Sequence, residues 1–139
     1  MADSFQLEVA TPERILVQEP TKEAQIPAEG GMLGVLPDHA ALLSLLGTGQ
    51  LTYTLATGEK RSMVISGGYL QILENHVRVL ADRAELANEI DIARAQKSLE
   101  RAKERMGAPA SAGMDVSRAL NAMKRAEARI AAAKLTARG

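Results

Sequence analysis

The sequence has no cysteine and no tryptophan, and Phe5, Tyr53 and Tyr69 are its only aromatic residues. The missing cysteines exclude disulfides, thiolate nucleophiles and cysteine metal ligands. With so few rings, the core must be aliphatic. The basic segments also lack the aromatic platforms on which nucleic-acid bases stack, so no nucleic-acid partner is expected. Two isolated histidines, His39 and His76, do not make a metal site. No run reaches the roughly 18 apolar residues of a membrane-crossing helix. Asp3, Glu8, Glu13 and Glu19 interrupt the first twenty residues, which do not resemble a secretory signal. There is no Arg/Ser-rich presequence either, which favours a bacterial or plastid-encoded protein, and a reducing, cytoplasmic setting is expected. A phosphate-cradling Gly-x-x-x-x-Gly-Lys-Ser/Thr motif is missing, and no two carboxylates stand out as an acid/base couple. No catalytic residue and no metal ligand is therefore assigned, and the chain is read as a non-catalytic part.

What is present divides near Leu86. The 139 residues have no net charge, but residues 1–85 carry −5 and residues 86–139 carry +5. The texture changes at the same place. The front is punctuated by Gly and Pro and rich in Val, Ile, Leu and Thr; the back is rich in Ala. Two modules of opposite charge suit a part that transmits or regulates.

The front predicts short strands. Phe5, Leu7 and Val9 alternate with Gln6 and Glu8, and Leu51, Tyr53 and Leu55 alternate with Thr52 and Thr54. Turn signals recur at strand-like spacing, with Thr57-Gly58 and Glu74-Asn75 marking two hairpins. The back predicts two helices. Asp91 suits the N-cap of the first, and Ile92, Ala95, Leu99, Ala102 and Met106 then form one narrow stripe. Gly107–Gly113 ends that helix, and Asp115 suits the cap of the second, whose stripe is Val116, Leu120, Met123, Ala126, Ile130 and Ala133. The fold class is thus α+β, an N-terminal antiparallel β-sandwich followed by a C-terminal two-helix antiparallel hairpin. The domains are residues 1–86 and 87–139. A hairpin seam made mostly of alanine buries little apolar area, so the hairpin is expected to depend on the sandwich, a ligand or a partner and to take more than one position.

Thr11-Pro12-Glu13-Arg14, then Gly34-Val35-Leu36-Pro37-Asp38-His39-Ala40, then Gly67-Gly68, then a helix opening on Ile90-Asp91 follow one another in an order that resembles the epsilon subunit of F-type ATP synthases. The resemblance covers nearly the whole chain. It implies a central-stalk subunit whose sandwich binds the gamma subunit and sits on the ring of c subunits, coupling rotation to ATP synthesis. Gly30–Ser44 would supply that contact. Leu33, Val35, Leu36, Leu42 and Leu43 are its apolar candidates, although each taken singly reads more readily as core. The implied hairpin is a mobile regulatory domain that restrains ATP hydrolysis by meeting an acidic region of the catalytic beta subunits, with alpha. Its basic residues suit that partner. The implied location is peripheral, on the cytoplasmic side of a bacterial plasma membrane.

Some members of that family bind ATP through Ile/Leu-Asp-x-x-Arg-Ala, which Ile90-Asp91-Ile92-Ala93-Arg94-Ala95 matches. The resemblance adds Glu85, Arg101, Arg125 and Arg129 to Ile90, Asp91, Arg94 and Ala95 as nucleotide-binding residues. Guanidinium forks suit phosphate oxygens, yet Asp91 as a plain helix cap with Arg94 on a helix surface needs no ligand. No cofactor is required, and ATP enters as a regulatory ligand. The other reading is an ATP-sensing switch whose main role is ligand binding.

Overall fold

Seven strands come first: β1 (Phe5–Ala10), β2 (Ile15–Ala28), β3 (Gly31–Val35), β4 (Leu42–Leu45), β5 (Thr48–Leu55), β6 (Lys60–Leu73) and β7 (His76–Leu86). A 3-10 turn, Ala87–Glu89, leads to helices α1 (Ile92–Met106) and α2 (Val116–Ala137). The structure, a computed structural model, describes residues 2–106 and 116–137. The Gly107–Gly113 link and the cap expected at Asp115 lie outside the described residues.

The strands follow the order β1-β7-β6-β5-β2-β3, with β4 paired to β6 and β1 paired again to β2. Strands β1, β7, β6, β5 and β2 therefore close on themselves as a flattened barrel. The expected all-antiparallel sandwich is corrected at one place, because β1 and β7 run parallel. The reason is arithmetic: an odd number of strands cannot close a ring with every neighbour antiparallel. A parallel pair needs a long connection, and the intervening strands supply it. The alternating residues of the sequence do face inward. Phe5, Leu7, Val9, Leu51, Tyr53 and Leu55 are buried and join Ile26, Met63, Ile65, Leu70, Val77 and Val79 in the core.

β6 keeps one register against β7, yet the set of residues it turns inward changes phase at Gly67-Gly68. Ser66 lies opposite Arg83 and Gly68 opposite Ala81, while Met63 and Ile65 face the core before the glycines and Leu70 and Ile72 face it after them. Both glycines have positive φ, and a Cβ on Gly68 would come within 2.0 Å of the Leu80 carbonyl oxygen. Only glycine fits there. Before the two glycines, Val64 and Ser66 pair with Glu85 and Arg83 on the outer face; after them, Tyr69 and Gln71 pair with Leu80 and Arg78 there. One strand thus serves two separate patches.

The helices lie on the first patch, where α2 packs on β5 and β6. Val64, Ala87 and Ala132 form a small cluster there, with Ile90 and Ala128 packed against it. The two helices meet along alanines: Ala95 and Ala102 on α1, and Ala119, Ala126 and Ala133 on α2, are all buried. Their seven-residue spacing makes a seam. On α2 this differs from the expected stripe, since Ala119 is buried and Leu120 is 39% exposed. α2 has neighbours on two sides, α1 and the sheet, and small side chains let both come close.

Candidate functional site

The linker between the modules is tied at both ends. Arg14, from the turn after β1, pairs with Glu89 at 2.8 Å. This contact holds the Glu89 carboxyl below its usual value and the Arg14 guanidinium above its own. Asp91 caps α1 as expected: the Arg94 backbone N–H donates to its carboxylate at 3.1 Å. Ile90 packs into the cluster around Val64, and Ala95 is buried in the helical seam. Asp91 as a helix cap with Arg94 on the helix surface is therefore realised in this arrangement. Arg94 and Arg101 are exposed on α1, and the Arg101 guanidinium donates to Ser98 Oγ at 3.4 Å.

Glu85, Arg125 and Arg129 are brought together. They line a narrow cleft between α2 and the sheet with Ser66, Val64 and a residue that sequence reasoning missed, Arg83. Arg129 pairs with Glu85. Burial, then the neighbouring charges of Arg83, Arg129 and Arg118, pull the Arg125 guanidinium below its usual value. Arg94 and Arg101 do not line this cleft. A signal for Arg83 existed: strand alternation puts it on the same face as Glu85, two residues on. A larger cleft, ≈ 1220 Å³, opens beside β2 and β5 and holds buried Tyr53, whose hydroxyl burial pushes up. There Arg61 is paired with Glu59 at 3.0 Å. The narrow cleft is different, because its positive charge exceeds its negative charge.

The second patch is apolar. Leu45 lies opposite Tyr69, Tyr69 opposite Leu80, Leu80 opposite Ala10 and Ala10 opposite Ile15. The row crosses five strands on the outer face, and Ile15, Leu45, Tyr69 and Leu80 are each at least 43% exposed. Leu43, at 72%, extends it. A contiguous apolar row of this kind marks a docking surface. Beside it, Arg78 Nε donates to the Glu8 carboxylate at 2.9 Å and Gln18 Nε2 donates at 3.3 Å. Of the apolar candidates read in the sequence, Val35 is core, Leu33 and Leu42 pack against the core, and Leu36 and Leu43 are exposed. The loop carrying Leu36 is pinned to the β6–β7 turn. The Asp38 N–H donates to Asn75 Oδ1 at 2.6 Å, and Asn75 Nδ2 donates back to the Asp38 carboxylate at 2.8 Å.

A family model described as the ATP synthase delta/epsilon chain beta-sandwich domain matches residues 4–87, and one described as the long alpha-helix domain of the same chain matches residues 88–134. The chain belongs to the ATP synthase delta/epsilon chain family. Membership makes it an epsilon-type chain of an ATP synthase, part of that machine's central stalk. It is 56% identical over 133 residues to an ATP synthase epsilon chain of Solibacter usitatus, covering 96% of this chain and 98% of the relative. It is 41% identical over 106 residues to that of Koribacter versatilis, covering 76% and 74%. A solved structure of the Euglena gracilis mitochondrial ATP synthase, comprising OSCP, F1 and the c-ring, contains a chain of the same fold. The TM-score is 0.80 at 24% identity, over 100% of this chain and 84% of that one. No helix among the described residues is long and apolar enough to cross a membrane.

Proposed function

We propose that this epsilon-type chain is a non-catalytic rotor piece with one permanent contact and one reversible one. The apolar row across β4, β6, β7, β1 and β2 seats the gamma subunit. The clasped loop edge around Leu36 and the β2–β3 turn at Glu29–Gly31 face the c-ring. Through these contacts rotation at the membrane couples to ATP synthesis in the head. The helical arm leaves the sheet to meet the acidic region of the catalytic beta subunits, with alpha, and there restrains ATP hydrolysis. The chain reaches the membrane only through its partners, on the cytoplasmic side of a bacterial plasma membrane. One observation carries this reading: a single outer face holds a broad apolar row in one patch and, in the other, a thin alanine contact loaded with charge. The first suits a contact that stays, the second one that comes and goes. The test is ATP hydrolysis by head complexes assembled with the full chain or with a chain ending after Leu86. Faster hydrolysis with the shortened chain, at equal gamma binding, is expected; equal rates would remove the arm's regulatory role.

A second reading rests on the guanidiniums of the narrow cleft. Arg125 and Arg129, with Arg83 beside them, suit the phosphates of ATP, with Glu85, Ile90, Asp91, Arg94, Ala95 and Arg101 as further nucleotide contacts. ATP bound there would hold the arm down and report the energy state of the cell. At 100-fold over Kd, the ligand would stabilise the docked arm by about 2.7 kcal/mol. Calorimetric titration of the full chain with ATP and Mg-ATP checks this, with Arg125→Ala and Arg94→Ala as controls. No heat at millimolar nucleotide would exclude a regulatory ATP.

A further inference from the structure

Arg83 is exposed at the rim of the cleft beneath α2, and neither it nor Arg125 has an ion-pair partner among the described residues. Its place follows from the ladder: opposite Ser66 and two residues before Glu85, it stands on the outer face that α2 covers. The sandwich therefore offers the arm one carboxylate and one guanidinium, while the arm brings two guanidiniums, Arg125 and Arg129. Glu85 accepts one of them, Arg129. Where Arg125 would need a second carboxylate, it meets Arg83. Arg118 and Arg129 also act on Arg125, but both ride on α2, so their influence travels with the arm. Of these neighbouring charges, only Arg83 stands on the sandwich and so acts on Arg125 only when the arm is seated.

We infer that Arg83 makes seating of the arm depend on a bound polyanion, opposing the arm in the absence of one and joining Arg125 and Arg129 around one that is present. This rests on the nucleotide reading for the identity of the anion, not for the repulsion. A phosphate chain supplies the negative charge that the joint lacks, and forked guanidiniums are the groups that hold phosphate best. The consequence has an unusual sign. Removing a residue that touches the ligand strengthens docking in the ligand's absence.

The natural sequence has no cysteine, so the full chain can be labelled at Thr57→Cys on the β5–β6 turn and Glu127→Cys on α2, and the docked fraction read from the distance distribution. Without polyanion, Arg83→Gln should raise the docked-to-released ratio by about fivefold, the size of two partly exposed charge pairs. It should also blunt the response to Mg-ATP and to tripolyphosphate, and lessen the gain in docking that salt brings to the natural chain. Arg83→Lys, which keeps the charge, should behave as the natural chain without ligand. A docked fraction that Arg83→Gln leaves unchanged or lowers overturns the inference, whatever ATP does. A natural chain that responds to tripolyphosphate but not to Mg-ATP upholds it and removes the nucleotide reading. A natural chain that responds to neither overturns it.

Discussion

The sandwich and the arm solve the problem of staying folded in opposite ways. The sandwich buries Leu7, Leu51, Met63, Ile65 and Leu70 completely and locks its strands into a closed ring. The arm rests on alanines, the Arg129–Glu85 pair and a cluster of five small or medium side chains. Each fully buried leucine contributes about 1.5–3 kcal/mol by leaving water, and an alanine contributes far less. The difference teaches where motion belongs in this molecule. The platform is fixed by a large aliphatic core, and the appendage is held by far less apolar burial.

The comparison can be broken most forcefully in the platform. Leu70→Ala should cost about 2–5 kcal/mol in denaturant unfolding, because Leu70 is fully buried where β6 crosses the core. A loss confined to the arm would mean that the two modules share one core. Next comes the apolar row. Leu80→Asp should weaken gamma binding by about thirtyfold or more, as loss of a central anchor does, while thermal stability shifts only slightly because Leu80 faces solvent. Unchanged binding would place the stalk contact elsewhere. A smaller effect is expected in the arm. Arg129→Ala breaks a pair whose side chains are each about a third exposed, so the docked arm should lose about 0.5–1 kcal/mol, less in high salt. Proteolysis of the arm at low and high salt reads this directly.

Acid gives the mildest effect. The Arg78 guanidinium, bonded to Glu8, holds that carboxyl below its usual value, helped by Gln18 and opposed by burial. A carboxyl lowered in the folded state favours folding at pH above its ordinary value, and that benefit is lost as pH falls through the lowered one. Stability measured from neutral pH down to that range should fall, with Glu8→Gln flattening the profile by less than about 1 kcal/mol. A steeper profile in the Gln variant would reverse the assignment.

Much of the platform was legible in the sequence because its signals are local. Inward alternation at Phe5–Val9 and Leu51–Leu55, the Thr57-Gly58 and Glu74-Asn75 turns and the Asp91 cap each depend on a few adjacent residues. Ring closure was not legible, because the parallel β1–β7 pair joins residues some seventy apart. The arm misled for another reason. Size was read as burial, yet a helix squeezed between two neighbours buries alanine and leaves Leu120 outside. The site was half legible: Glu85, Arg125 and Arg129 do converge, whereas Arg83 reads alone as a solvated strand residue until α2 is laid across it. The apolar row stayed hidden, since Ile15, Tyr69 and Leu80 become neighbours only through the ladder.

The glycine pair in β6 marks a change of parity. Removing Gly67 would bring every later side chain of the strand to the opposite surface, sending Tyr69 into the aliphatic interior and Leu70 and Ile72 out to water. A one-residue deletion there would therefore scramble the outer apolar row and the core together, while the stretch under the arm kept its phase. Two surfaces of different chemistry, one apolar and one charged, are in this way tied to the presence of a single atom-poor residue between them.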